Sequence, residues 1–155
     1  MTFWNKLAFF LIGTAVVFTT LAYGTVHQPI IAMFYILIVL TAMAWAADGL
    51  FSGTLQFSKS KLQIPLLLFG VYALLQAIPF GSYAEAAGIA GIGRTISAEP
   101  FATQTTAIHI FFLSAFFAVA LYTLDTSARL RRLTAVLTVF GFAYAFYGIL
   151  QMVLS

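Results

Sequence analysis

The side chains that could do chemistry in this sequence are few, and they gather near the ends of long apolar runs. His109 is the ionisable residue that falls inside such a run. A histidine at that depth serves either as a proton relay or as a hydrogen-bonding partner for a neighbouring helix. Gln76 and Gln151 stand near the ends of two other runs, His27 in a short turn, and Arg94 in a polar stretch with Glu85 and Glu99. An imidazole, two amides and a guanidinium make that face the chemically richer one, and any site would open there. Polar residues collect at any membrane interface, however, so the pattern leaves the structural reading equally open. Catalytic motifs are missing: there is no phosphate loop, no metal-spaced histidine pair and no nucleophile elbow. Gly88-x-x-Gly91-x-Gly93 is no dinucleotide fingerprint, because no strand precedes it. No catalytic residue, metal ligand or cofactor is therefore assigned.

The elements that would have to position these groups follow from composition. Of 155 residues, 63% are hydrophobic and 7% charged, and the mean hydropathy is +1.04. A soluble domain carries roughly 25% charged residues, so soluble enzymes, nucleic-acid binders and disordered chains are excluded. The apolar residues form runs over 7–23, 30–47, 64–80, 105–124 and 133–154, each near the length that crosses a hydrocarbon core of about 30 Å. Backbone amides in lipid must be satisfied within the segment or in a closed barrel, and the runs lack the alternation of barrel strands. The expected fold is an all-α, polytopic bundle of about five transmembrane helices in a single domain over 1–155. Zero cysteines exclude disulfides and thiolate chemistry and leave the redox compartment open.

Charge orients the spans. Lys6, Lys59, Lys61, Arg129, Arg131 and Arg132 fall on one side and Arg94 alone on the other, which predicts a cytoplasmic N-terminus and an outside C-terminus. Trp4, Trp45 and Tyr122 would then mark the inner interface. The inner loops read as basic and featureless beyond that role. The first span resembles a cleavable signal, but its length and the span that follows make it a signal anchor. The outer loop 81–104 holds a small amphipathic piece, then glycines, and reads either as a short interfacial helix with a turn or as a flexible connector. Pro65 and Pro79 sit at span ends, where proline is tolerated, and the spans lack buried charge, so an ion-coupled transporter fragment is the minority reading.

At 100° per residue, Gly141, Ala145 and Gly148 fall within about 60° of one another on the last span. Such a stripe lets helices approach closely and predicts a helix partner or an oligomer more readily than a ligand.

Four pieces in order resemble the amino-terminal region of the bacterial O-antigen ligase and O-antigen polymerase superfamily. They are Ala22-Tyr-Gly-Thr-Val-His-Gln-Pro29, Leu75-Gln-Ala-Ile-Pro79, Thr95-Ile-Ser-Ala-Glu-Pro-Phe-Ala-Thr103 and Gly141-Phe-Ala-Tyr-Ala-Phe-Tyr-Gly-Ile-Leu-Gln151. The resemblance implies a multi-pass protein of the bacterial inner membrane that helps move a glycan from an undecaprenyl-pyrophosphate carrier in polysaccharide or lipopolysaccharide assembly. That family's catalytic arginines and histidine belong to later helices and a large periplasmic loop, and nothing here matches those positions. Arg94 and His109 do not sit in the catalytic motif. The expectation is a truncated front half, inactive alone, in which Gln76, Arg94, His109 and Gln151 are substrate-groove candidates. Its partners would be membrane lipid and, in a complete protein, the lipid-linked glycan. The alternative is a self-sufficient membrane scaffold or oligomeric subunit without enzymatic activity.

Overall fold

A computed structural model describes residues 2–22, 27–80 and 95–154. The order is α1 (Phe3–Leu21), α2 (Gln28–Ser52), α3 (Gln63–Ala77), α4 (Pro100–Thr123) and α5 (Ser127–Leu154), with no strand among the described residues. Four of these, α1, α2, α4 and α5, are long and apolar enough to cross a membrane. The protein is thus all-helical and of the membrane-spanning class.

The shortfall is α3. Its 15 residues make a rod of about 22 Å, less than a hydrocarbon core of about 30 Å, where the apolar run predicts a span over 64–80. Pro79 gives the reason. A proline disfavours helical backbone in the residue before it, and Ile78 is extended, with φ −72° and ψ 129°. Apolar character continues past the helix, but helical geometry does not. At α4 the deviation is opposite, because the helix starts at Pro100 rather than near residue 105. Proline is well suited to a first helical turn, and Thr103 N–H already donates to the Glu99 carbonyl at 3.0 Å.

The chain divides into two compact units, one of residues 1–58 and 118–155 and one of residues 59–117. In the first, α1 packs against α2. Asn5, Ala8, Ile12 and Ala15 are the buried residues of α1, a spacing of three and four that places them on one face. The corresponding face of α2 carries Phe34, Ile38, Thr41, Ala44 and Asp48. Both seams mix small residues with branched ones, which allows close approach where lipid gives no hydrophobic drive for helices to associate. Gly53 ends α2 in the left-handed region, φ 71°, a conformation that costs L side chains and suits glycine. Gly49 clears the way for the return chain: a Cβ there would lie 2.7 Å from Leu55 Cγ.

In the second unit, α3 turns Gly70, Ala73 and Ala77 inward. A Cβ on Gly70 would stand 3.2 Å from both Ile110 Cγ2 and Phe111 Cζ of α4, so this face is already tight. Buried hydroxyls in both units bond within their own helix, Thr41 to the Leu37 carbonyl and Ser114 to the Ile110 carbonyl, each at 2.7 Å. That pairing satisfies a polar group locally in an apolar medium.

Candidate functional site

The densest polar constellation in the first unit lies where α1 begins, α2 ends, α4 ends and α5 begins. Thr2 caps α1 by accepting from Asn5 N–H at 3.2 Å, an arrangement typical of a threonine before a helix. The same hydroxyl donates to Asp48 Oδ1 near the end of α2. Asn5 Nδ2 donates to Asp48 Oδ2 at 3.2 Å, and Tyr122 of α4 donates to the same oxygen at 3.3 Å. On its other side, the Asn5 carbonyl oxygen accepts from Arg129 Nη2 of α5. Arg129 Nη1 in turn donates to the Thr123 carbonyl and, at 3.3 Å, to Asp125.

Asn5 therefore bridges a carboxylate and a guanidinium, each nearly excluded from solvent, with Asp48 4% and Arg129 6% exposed. Buried opposite charges hold together only when their remaining donors and acceptors are also satisfied, and here nearly all are. The Thr123 hydroxyl oxygen is the buried side-chain atom without a partner among the described residues.

This geometry limits the chemistry. A carboxylate offers about four acceptor sites, and three donors already occupy Asp48, which leaves about one. The adjoining cavity, which extends to Ser52, Thr54 and Gln56, is about 250 Å³, below the ~300 Å³ at which small-molecule sites usually begin. The cluster ties four helix ends together. Among the described residues no group of His, Asp and Glu is placed to hold a metal ion.

Aromatic rings surround the same end. Trp4 stacks on Phe51 with centroids 5.9 Å apart, and Trp45 meets Phe57 edge-on at 4.8 Å while donating to the Gln56 carbonyl at 3.2 Å. Of the three residues expected at the inner interface, Tyr122 reaches the cluster itself through Asp48, while Trp4 and Trp45 make separate ring contacts on α1 and α2.

The sequence-derived groove candidates are arranged differently. Gln76 and His109 belong to the second unit and Gln151 to the first. Gln76 is half-buried, and its carbonyl accepts from Ser97 N–H at 3.0 Å. His109 is half-buried and partnered. Gln151 is exposed on α5, about 33 Å along the helix from Arg129 by its rise. Arg94 and Glu85 lie outside the described residues, as does 81–94 of the outer loop. The small-residue stripe of α5 is exposed, and a Cβ on Gly141 or Gly148 would meet nothing within 4 Å.

Sequence reasoning passed over Asp48, Asn5 and Arg129. Asp48 stands one residue beyond the expected end of its span and Arg129 was absorbed into the topology count. A signal existed: an acid and an amide near the ends of consecutive spans on the basic side, where a buried guanidinium could find them.

A second polar group caps α4 inside the second unit. Thr95 Oγ1 donates to the Ser97 carbonyl and the Ser97 and Thr103 hydroxyls bond to one another, both at 2.6 Å. Ser97 Oγ also accepts from Glu99 N–H at 3.1 Å. Through Ser97 N–H to the Gln76 carbonyl, this segment is fastened to the end of α3.

Comparison with protein-family models, with curated proteins and with solved structures finds no match.

Proposed function

We propose that this chain is the amino-terminal scaffold of an O-antigen ligase-like glycosyl-transfer protein of the bacterial inner membrane, holding one side of a groove for an undecaprenyl-pyrophosphate-linked glycan. The observation that supports this reading is the fastening of Ser97 to Gln76. It joins two of the four sequence pieces that carry the resemblance, Leu75-Gln-Ala-Ile-Pro79 and Thr95-Ile-Ser-Ala-Glu-Pro-Phe-Ala-Thr103. Transfer from a diphosphate carrier needs cations for the leaving group and a base for the acceptor hydroxyl. The described second unit offers neither in a free, convergent form, so the chain binds and does not turn over.

The test is equilibrium binding of undecaprenyl-pyrophosphate-linked glycan to the chain in lipid nanodiscs, together with an assay for glycan transfer. Saturable binding that weakens in Gln76→Ala, without transfer, is the expected result. Absence of binding, or turnover by the chain alone, overturns the reading.

A second reading has its own observation. From Val139 to Leu154 the large hydrophobic residues of α5 are exposed or half-exposed, and its glycines face open space, which suits a self-associating membrane scaffold. A uniform oligomer in detergent that Gly148→Leu dissociates favours it.

A further inference from the structure

Between α1 and α5, within the first unit, runs an apolar groove of about 520 Å³. Phe9, Phe10, Gly13 and Val17 form one wall and Leu133 and Val136 the other. The α1 wall continues to Leu21, so the groove is about 18 Å long by helical rise. Phe9 lies nearly two turns into α1 and Leu21 is its last residue, so the groove follows α1 to its far end and offers an acyl chain an apolar bed along that length.

The entrance is cationic. Lys6 precedes Phe10, Gly13 and Val17 at spacings of four, three and four, and so continues their face by one turn. Arg132 stands one turn before Val136 in the same way. Both are exposed, and neither has an ion-pair partner among the described residues. The carboxylates at this end are already taken, Asp48 by Thr2, Asn5 and Tyr122, and Asp125 by Arg129. Both walls also begin here, so the positive ends of two helix dipoles face the entrance.

We propose that this groove is a binding site for one anionic phospholipid, its acyl chain between α1 and α5 and its phosphate between Lys6 and Arg132. Charge and the apolar lining together select the occupant. A zwitterionic lipid would bring its own cation to a cationic mouth, and a free phosphate would leave the apolar wall unfilled. The site is independent of the glycan-carrier reading, which concerns Gln76 and the second unit.

The experiment reconstitutes the full chain in nanodiscs with phosphatidylglycerol or phosphatidylcholine carrying a photoreactive diazirine in the acyl chain, and maps the adducts by mass spectrometry. Phosphatidylglycerol should label the α1 and α5 walls at least tenfold more than phosphatidylcholine. Lys6→Gln and Arg132→Gln should each lower that labelling roughly fivefold and leave phosphatidylcholine labelling unchanged, the size expected for one surface cation against an anionic lipid. Gly13→Phe should block both. Should a variant fail to insert, competition on the unaltered chain decides: unlabelled phosphatidylglycerol displaces the probe and phosphatidylcholine does not. Equal labelling by the two lipids, adducts away from these walls, or stronger displacement by undecaprenyl phosphate than by phosphatidylglycerol overturns the proposal.

Discussion

Arg129 and Gly148 stand on the same helix and have opposite surroundings. Arg129, in the first turn of α5, is buried and bonded to Asn5, Thr123 and Asp125, whereas Gly148 faces open space. The contrast shows which force fixes a helix in an apolar solvent. An exposed Phe142 or Ile149 gains nothing by leaving lipid for protein, because lipid tails are as apolar as a neighbouring helix. A guanidinium has no such indifference. It must find acceptors, and it brings α5 to α1 wherever those acceptors are.

The comparison breaks most sharply at Arg129. Arg129→Met should destabilise the first unit by about 3–5 kcal/mol, because it strands Asp48 and Asn5 without their cationic counterpart; unfolding in mixed detergent micelles measures it. Adding Asp48→Leu to that variant should recover much of the loss, since replacing a whole buried pair by apolar groups is often neutral. Asp48→Asn, which keeps an acceptor but removes the charge, should cost about 1–3 kcal/mol. A similar penalty of about 1–3 kcal/mol is expected from overpacking in Gly70→Leu, read as local loss of hydrogen-exchange protection in α3. At the other extreme, Gly148→Leu should change the stability of the single chain by less than about 0.5 kcal/mol. If Gly148→Leu destabilises the single chain as much as Arg129→Met, polar pairing is not what fixes α5.

The five helices among the described residues were legible because long apolar runs have few alternatives in lipid, although four of them, not five, are long enough to cross it. The ends were less so, for identifiable reasons. Hydropathy counts Ile78, Pro79 and Phe80 as span, while proline geometry stops α3 at Ala77. Conversely, Phe101 and Ala102 follow a helix-starting proline but sit among polar threonines, which hides the first turn of α4. The candidate groove was read from polar residues near span ends, a criterion that also fits a capped helix. Gln76 is drawn into such a cap by its main chain. The Asp48 and Arg129 cluster was hidden for another reason: its bonded partners lie up to 124 residues apart, Asn5 to Arg129, and no local pattern links them.

That separation has a consequence for how the chain is made. Asp48 and Tyr122 are 74 residues apart, and at about 5–20 residues per second of synthesis the first helical pair waits roughly 4–15 s for the end of α4, and longer for α5. During that interval Thr2 and Asn5 are the partners Asp48 has. The bridge to α5 closes only if the last helix arrives with its basic turn at the same membrane face as the start of α1. The cluster therefore couples the sense of the last helix to polar pairing: with that helix reversed, Asn5 would keep Asp48 but lack Arg129.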